Sequence, residues 1–385
     1  MRLLRDRDIV CVGFADWDGP LPTNQHHLMR RLGECNRVLF VESLGLRQPS
    51  LGGTDLRRIA RRARRGLGPP RRSGDVWVLS PLVVPFHRFA PVRALNARLL
   101  PRLVRRAAKR LGMERPILWA YVPQAEVLLD ALDPGLVVYH CVDDIAAQKG
   151  VDAGSFRAAE RRFAARADLV IASAPPLAER MRELSGNVLD APNVADTTLF
   201  ATALQDGATD PALERLLRPR LVFHGAISAT KLDLELLAEV ARLRPAWALA
   251  LVGPVGAGDP GTDVSALADL PNVHLLGPRR HEELPAMLRG ADAGLIPYAI
   301  NPLTSSIFPM KVYEYLAAGL PVVSTPLPSL AGVEGIEFAA TAADTVAALE
   351  RELAADGPER RARRSRDAAG HSWEARLEQI EAALP

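Results

Sequence analysis

One segment in the second half of the chain, residues 302–330, limits the possible folds most strongly, because it predicts a loop, a helix and a tight turn in succession. Ser305 or Ser306 can cap the start of the helix, and Pro309 suits its first turn. Gly319 fits the left-handed position that ends a helix. The segment therefore predicts a helix with a defined start and a sharp end.

A buried strand is predicted directly after this helix. Pro321 stops the helix from continuing, and Val322 and Val323 begin a short apolar run that ends in turn residues, as in a parallel strand. The loop before the helix is rich in hydroxyl groups, and Lys311 follows it. A helix N-terminus beside hydroxyls and a lysine favours the binding of an anion.

The rest of the chain alternates apolar runs with helical stretches, and its 385 residues suit two domains. The strand-like runs of the first half are 9–14, 37–42, 76–79, 117–121, 136–141, 169–173 and 187–192. Those of the second half are 221–225, 247–252, 273–276, 294–297, 322–324 and 336–338. This alternation predicts two doubly wound α/β domains, joined by a linker over 201–219.

The charge of the chain is unevenly distributed. Residues 1–200 contain 31 Lys or Arg and 21 Asp or Glu, a net charge of +10, and the remainder contains 17 and 24, a net charge of −7. Such a difference between halves suggests that the first half meets an anionic partner.

Two arginine-rich segments carry most of this positive charge. One runs from Arg57 to Arg72, and the other, from Arg88 to Arg110, mixes arginines with apolar residues as an amphipathic helix does. Helices of this kind lie on anionic membrane surfaces, although a solvated helix face is the alternative. Aromatic residues that would stack on bases are sparse in both segments, which disfavours nucleic acid as the partner.

Cysteine usage and hydropathy predict a cytoplasmic protein. Cys11, Cys35 and Cys141 are odd in number and lack CxxC spacing, so we expect reduced, mostly buried thiols. No apolar run reaches the roughly 18 residues that a membrane span needs. The N-terminus is charged, and the apolar run after it is too short for a signal peptide.

Four motifs together resemble the GT-B glycosyltransferases. They are Gly294-Leu295-Ile296-Pro297-Tyr298, the block from Pro309 to Val323, Gly225-Ala226-Ile227 with Lys231, and Val138-Tyr139-His140-Cys141-Val142-Asp143-Asp144. The sequence looks most like family 4 enzymes, and it is closer still to the relatives that include teichuronic acid enzymes and the xanthan glucuronosyltransferase. The resemblance covers nearly the whole chain, and the block around Lys311 is its most specific part.

The resemblance implies an α/β fold of the GT-B class, with two doubly wound Rossmann-like domains facing a cleft. Residues 1–200 would bind the acceptor and residues 201–365 the nucleotide-sugar donor. A C-terminal helix over 366–385 would cross back to the first domain.

The donor of such an enzyme carries two negative charges on its pyrophosphate, and more charge develops there as the glycosidic bond breaks. The protein must therefore supply cations, and Lys311 and Lys231 are the candidates. The resemblance implies that Glu314 holds the ribose hydroxyls of the donor. The predicted donor-binding residues are Gly225, Lys231, Arg280, Tyr298, Ser305, Ser306, Met310, Lys311 and Glu314. Solvated side chains or core packing are the alternatives for the charged residues and Tyr298.

Two positions depart from the family 4 pattern. Ser306 stands where a glutamate usually contacts the donor sugar, and Gly225 and Ala226 stand where an arginine is frequent. The sugar and the stereochemical outcome are therefore open. Lys311, placed as in the xanthan enzyme, can replace the missing charge.

An inverting transfer needs a general base for the acceptor hydroxyl. Asp143 and Asp144, at the predicted carboxyl end of a strand, are the catalytic candidates, and only one of two adjacent residues is expected to face the ligand. A predicted acceptor loop follows the first strand and contains Asp16, Trp17, His26 and His27. A local structural bond is the alternative for the two histidines.

The sequence thus predicts transfer of a sugar from a UDP- or GDP-sugar to a hydroxyl of a lipid-linked or cell-surface polysaccharide. No cluster of His, Cys or carboxylate residues has convincing metal spacing, so we expect neither a metal nor another cofactor. The alternatives are a glycosyltransferase acting on a soluble natural product and an inactive protein that binds a nucleotide or glycan. We expect a cytoplasmic location, at the inner face of the membrane if the basic segments bind it.

Overall fold

The chain, in a computed structural model, divides into two compact units. The structure describes residues 4–19, 21–42, 68–81, 90–148 and 150–385. The first unit contains Met1–Pro192 and Leu377–Pro385, and the second contains Asn193–Arg376. The division lies slightly before residue 200, and the return to the first unit begins later than the predicted residue 366.

The first unit is built on one eight-stranded sheet, in the order β3-β4-β2-β1-β5-β6-β7-β8. The strands are β1 (Asp8–Val12), β2 (Arg37–Val41), β3 (Arg71–Ser73), β4 (Val76–Leu79), β5 (Ile117–Ala120), β6 (Leu136–Cys141), β7 (Leu169–Ala172) and β8 (Val188–Asp190). All neighbours pair in parallel except β3, which is antiparallel to β4. Strands β1, β5 and β7 are buried throughout or nearly so, which explains why they read as continuous apolar runs.

The second unit is built on a six-stranded parallel sheet, in the order β11-β10-β9-β12-β13-β14. Its strands are β9 (Arg220–His224), β10 (Ala248–Val252), β11 (Val273–Leu275), β12 (Ala293–Ile296), β13 (Val322–Ser324) and β14 (Ile336–Phe338). The chain builds outward from β9 to β11 and then returns to add β12 on the other side of β9. This reversal creates a switch point between β9 and β12, the place where doubly wound sheets bind ligands.

Helices connect these strands. In the first unit they are α1 (Asn24–Gly33), α2 (Ala90–Arg110), α3 (Leu129–Leu132), α4 (Ala153–Ala164) and α5 (Pro175–Arg182). In the second they are α6 (Thr197–Ala201), α7 (Pro211–Glu214), α8 (Leu234–Leu243), α9 (Ser265–Ala268), α10 (Leu284–Arg289), α11 (Lys311–Ala317), α12 (Ala342–Ala355) and α13 (Pro358–Ala368). The last helix, α14 (Trp373–Ala383), passes from the second unit into the first, where Glu381 accepts a hydrogen bond from the N–H of Leu4 at 3.1 Å.

The start of α11 corrects the prediction that a serine caps this helix. Ser305 and Ser306 belong to a separate 3₁₀ turn, and the backbone at Ile307 is extended. Helix α11 begins only at Lys311, without a side-chain cap. The reason is Pro309, because a proline disfavours helical geometry at the residue before it.

The end of α11 is as predicted. Gly319 has a φ of +78° in the left-handed region, which a residue without a Cβ adopts without strain. Its N–H bonds to the carbonyl of Leu316 at 2.9 Å, and the N–H of Leu320 bonds to that of Tyr315 at 3.0 Å. The chain then turns directly into β13.

The structure describes most of the second arginine-rich segment but only the end of the first. The second is helical, as predicted, and forms α2 over Ala90–Arg110; Arg88 lies outside the described residues. Most of the first also lies outside them, including Arg57, but Arg71 and Arg72 form the edge strand β3. No helix in the described part of the chain is long and apolar enough to cross a membrane.

Helix α1 depends on a buried histidine at its N-terminus. His26 is 1% exposed, and its Nδ1 accepts a hydrogen bond from the N–H of Thr23 at 3.0 Å. Its Nε2 lies 3.2 Å from the backbone oxygen of Asp16 and so carries the proton that it donates. Burial lowers the pKa of His26 to about 4, with a smaller lowering from Arg30.

We predict that this histidine makes the folded protein sensitive to mild acid. The unfolded chain binds a proton at His26 below its ordinary pKa of 6.5, whereas the folded chain binds it only near about 4. The stabilisation is therefore complete above pH 6.5 and is lost as the pH falls toward 4. Between about pH 7.5 and 5, the unfolding free energy should drop by roughly 2 kcal/mol more in the natural protein than in His26→Asn.

Urea denaturation at the two pH values measures this difference. His26→Asn is the matched control, because its side-chain oxygen can still accept from the Thr23 N–H but does not titrate. Parallel losses of stability in the two proteins would show that His26 is not the acid-sensitive group.

Candidate functional site

The carboxyl ends of β9 and β12 are held together by their following loops. Leu232 pairs with Tyr298 in an antiparallel bridge, and the N–H of Ala299 bonds to the carbonyl of Lys231 at 2.9 Å. The N–H of Asp233 also bonds to the carbonyl of Pro297 at 2.9 Å. The switch point is therefore lined by two loops with a fixed relative position.

Lys311 lies at this switch point, beside two other predicted donor residues. Its Nζ is 3.5 Å from the hydroxyl of Tyr298 and 5.3 Å from the centre of the Phe223 ring. A Cβ on Gly225 would lie 2.8 Å from Cε and 2.9 Å from Nζ of Lys311, and the φ of Gly225 is +126°. Glycine is thus required twice at this position, for its backbone geometry and for the room it gives the ammonium group.

Glu314 lies one turn further along α11 and is almost entirely buried. Its Oε2 is 3.2 Å from Nε2 of His224, the last residue of β9, and both residues are 5% exposed. Burial by itself would raise the pKa of Glu314, but His224, with smaller contributions from His281 and Lys311, holds it at about 2. Burial lowers the pKa of His224, and the Glu314 carboxylate opposes that lowering.

Two residues that the sequence did not reveal organise the loops of this site. Asn301 receives the N–H groups of Leu303 and Thr304 on its Oδ1 at 3.0 Å and donates to the carbonyl of Thr230 at 3.1 Å. This Asx turn shapes the loop that carries Ser305 and Ser306, and an asparagine after Pro297-Tyr298 was the only sequence signal for it.

The second such residue is Asp259, in the loop after β10. Its Oδ2 accepts from the N–H of Thr230 at 3.1 Å, from the hydroxyl of Ser228 at 3.3 Å and from that of Thr262 at 3.2 Å. These bonds fix the turn just before Lys231, whose side chain is half-buried. Nothing in the sequence pattern distinguished this aspartate from a solvated loop residue.

The remaining donor candidates occupy less specific positions. Met310 is half-buried and immediately precedes α11. Arg280 is exposed and its Nε pairs with Oε1 of Glu283 at 2.9 Å, which favours a surface role. The neighbouring Arg279 pairs with Asp210 at 2.6 Å.

In the first unit, Trp17 and His26 form hydrogen bonds with other residues of the same unit. The indole N–H of Trp17 donates to the hydroxyl of Ser73 at 3.1 Å, and its backbone N–H donates to Oε1 of Glu42 at 2.8 Å. The His26 ring binds Thr23 and the backbone of Asp16, as described above. His27 is also buried, at 5% exposed. These contacts favour structural roles for Trp17 and His26 over acceptor binding.

Asp143 and Asp144 follow β6, and the structure distinguishes them. Both oxygens of Asp144 accept from Nη2 of Arg157, at 2.7 and 2.6 Å. Arg157 also contacts Glu160 at 3.2 Å, and Arg180 pairs with the same carboxylate. Asp144 thus belongs to an ion-pair network that anchors α4, while Asp143 is half-buried beside it.

Metal ligation has no support among the described residues. In those ranges, no group of three or more His, Cys, Asp or Glu side chains is arranged to hold a metal ion. The buried thiols of Cys11 and Cys141 are unlinked, as is Cys35.

One curated protein is similar in sequence to part of this chain. The chain is 32% identical over 230 residues to TuaH of Bacillus subtilis, named as a teichuronic acid biosynthesis glycosyltransferase. The match covers 56% of this chain and 57% of that protein, so the chain spans little more than half the length of its relative.

Solved structures match almost the whole chain. The sucrose-phosphate synthase of Thermosynechococcus elongatus has a TM-score of 0.68 at 16% identity and covers 98% of both chains. HepE of Anabaena, in complex with UDP and glucose, has a TM-score of 0.63 at 15% identity, over 98% of this chain and 99% of that one. At these identities the likeness shows the fold alone, and it confirms the predicted GT-B class.

The second unit also matches a family model. Residues 218–356, from just before β9 to just after α12, match the model described as Glycosyl transferases group 1. This range contains Gly225, Tyr298, Lys311 and Glu314, which the sheet reversal brings to one place. The second unit of this GT-B chain therefore contains a glycosyl transferases group 1 domain.

Proposed function

We propose that the chain is a glycosyltransferase that moves a sugar from a UDP- or GDP-sugar to a hydroxyl of a lipid-linked or cell-surface polysaccharide, without a metal ion. One observation carries the proposal: the ammonium of Lys311 lies at the switch point beside Gly225 and Tyr298, inside the matched domain. The name of TuaH and the UDP and glucose of the HepE structure support the donor and acceptor classes.

The proposed reaction breaks the bond between the sugar C1 and the diphosphate oxygen. The nucleoside diphosphate leaves with the electron pair, so negative charge grows on its terminal phosphate. Lys311 and Lys231 would neutralise that charge. Only four of the 48 Lys and Arg residues are lysines, and both lysines of the second unit are these two. A compact ammonium suits a position where Gly225 leaves little room, and the larger guanidinium does not.

Glu314 would accept hydrogen bonds from the ribose hydroxyls. Its low pKa keeps the carboxylate ionised at every physiological pH. A buried carboxylate is a strong acceptor, because charge-assisted hydrogen bonds are stronger than neutral ones.

Asp143 is the better candidate for the general base of an inverting transfer. It would take the proton of the acceptor hydroxyl while that oxygen bonds to C1 of the sugar. Both oxygens of Asp144 accept hydrogen bonds from Arg157. This ion pair makes Asp144 less suited to accept a proton from the acceptor.

A donor panel tests the activity directly. We expect the protein to release UDP or GDP from at least one nucleotide sugar, faster when a polyprenyl diphosphate sugar acceptor is present and equally well with EDTA. Lys311→Arg should lower the rate about ten-fold or more, because the added length collides with Gly225. Release of labelled nucleotide, read by chromatography, measures both.

Matched variants separate the roles. Arg242→Lys, at an exposed position of α8, is the control for a conservative change in the same unit and should leave the rate unchanged. Asp143→Asn should bind UDP normally but transfer about 100-fold or more slowly. A protein that binds UDP yet releases no nucleotide from any donor would be a binding protein rather than an enzyme. Loss of activity in EDTA that Mg²⁺ restores would contradict the metal-free mechanism.

We also propose that α2 holds the protein on an anionic membrane surface at the cytoplasmic face. Arg98, Arg102, Arg105 and Lys109 are exposed and follow one another at helical spacing of three or four residues, so they form one stripe. The opposite face buries Leu100, Val104 and Ala107 in the unit, and the helix contains no acidic residue. The stripe is therefore a continuous band of positive charge.

Vesicle co-sedimentation tests the membrane proposal. The protein should bind vesicles with about a third phosphatidylglycerol but not pure phosphatidylcholine, and binding should fall as salt rises from about 0.05 to 0.5 M. Neutralising Arg98, Arg102 and Arg105 to Gln should weaken binding about ten-fold or more. The control neutralises three exposed arginines of α13, namely Arg360, Arg363 and Arg366. If both triple variants lost vesicle binding equally, or if the natural protein bound vesicles at neither salt concentration, α2 would have no role in membrane binding.

A further inference from the structure

The imidazole of His224 lies directly against the carboxylate of Glu314. Its Nε2 is 3.2 Å from Oε2, and both side chains are almost inaccessible to solvent. A carboxylate removed from water is stable as an anion only when donors or charges replace the lost solvation. Nε2 of His224 is the nearest basic nitrogen, but its N–H is not aligned for a hydrogen bond with Oε2, and it has no other hydrogen-bond partner in the described structure.

Two aromatic rings fix the orientation of this imidazole. Phe200 of α6 lies parallel to it, with ring centres 6.3 Å apart and planes at 13°. Tyr315 meets it edge-on at 5.1 Å and 85°. The backbone N–H of His224 also donates to the hydroxyl of Tyr315 at 3.1 Å. One residue at the end of β9 therefore contacts two successive residues of α11, Glu314 and Tyr315.

Other titratable groups also face this pair. Lys311 lies one turn before Glu314 on α11, and His281, which follows β11, packs its ring against Phe200 at 5.4 Å. Both lower the pKa of Glu314, but less than His224 does. Among the residues the structure describes, His224 is the basic side chain that lies within 4 Å of the Glu314 carboxylate.

We propose that His224 is a positioning residue for the nucleotide: its unpartnered Nε2, 3.2 Å from Oε2, turns its N–H onto the Glu314 carboxylate when the nucleotide binds and holds it in the orientation that accepts the ribose hydroxyls. The inference rests on the proposed function, in which Glu314 binds ribose. The contact uses one carboxylate oxygen, and a carboxylate accepts at both. Without His224 the carboxylate would be free to rotate, and ribose recognition would weaken although no residue touching the ligand had changed.

Two substitutions separate donation from packing. His224→Gln keeps a donor near the position of Nε2 but loses the ring, whereas His224→Phe keeps an aromatic ring against Phe200 and Tyr315 but loses the donor. Calorimetric titration with UDP and GDP should give an affinity within about three-fold of the natural protein for the Gln variant. The affinity of the Phe variant should be about ten-fold lower or worse.

Nucleotides that lack a ribose hydroxyl distinguish positioning from a purely structural role, because a structural change would weaken their binding and that of UDP or GDP equally. In the natural protein, 2′-deoxy and 3′-deoxy nucleotides should bind more weakly than UDP or GDP, and in His224→Phe this difference should shrink. In a Glu314→Gln background, His224→Phe should cost little further affinity, because the group that it positions is gone.

The opposite results would overturn the inference. If the Gln variant bound UDP or GDP more weakly than the Phe variant, the ring of His224 would act by packing and not by donating. If His224→Phe lost as much affinity for the deoxy nucleotides as the natural protein does, His224 would have no role in ribose recognition. If the natural protein binds neither UDP nor GDP, the proposed function itself fails. If it binds one of them and His224→Phe binds it equally well, only the role of His224 fails.

Discussion

The close approach of Lys311 to Gly225 is the contact on which the candidate site depends. It joins the end of β9 to the start of α11, and it exists only because Gly225 has no Cβ and adopts a φ of +126°. A side chain at that position would displace the ammonium from the switch point or bend the strand end. The loops around it are fixed independently, by Asp259 on one side and Asn301 on the other. The lysine is therefore positioned by its contacts with Gly225 and Tyr298, and the loops that bear these residues are held in place by other side chains.

Much of the fold follows from local patterns. The central strands of both sheets are apolar runs because they are buried on both faces, and Gly319 ends α11 because only its backbone fits the turn. Prediction failed where local patterns are ambiguous. Ser305 and Ser306 had the chemistry of a helix cap, but Pro309 separates them from α11. Helices α12 and α13 were not predicted, and α13 buries so little that its sequence has no clear apolar stripe.

Some residues of the candidate site were likewise predicted from the sequence, and others were not. Lys311, Glu314, Gly225 and Tyr298 were predicted from three motifs, of which the block around Lys311 is the most specific. The structure brings Gly225 and Tyr298 to Lys311, and it adds His224, which no spacing rule connects to Glu314. Their contact exists because β9 and α11 meet across the sheet. In the first unit, both oxygens of Asp144 accept from Nη2 of Arg157, a contact that the sequence did not reveal.

The order of strands in the second sheet also has a consequence for how the chain acquires its site. Between β9 and β12 the chain must complete β10 and β11, so His224 and Tyr315, which are hydrogen-bonded, lie 91 residues apart in sequence. Contacts of such high sequence separation form late, because the loop between them must close before they contribute any stability. During synthesis, the strand that bears His224 and Gly225 leaves the ribosome well before its partners on α11. The geometry of the candidate site thus needs both β9 and α11, and no fragment that ends before α11 contains it.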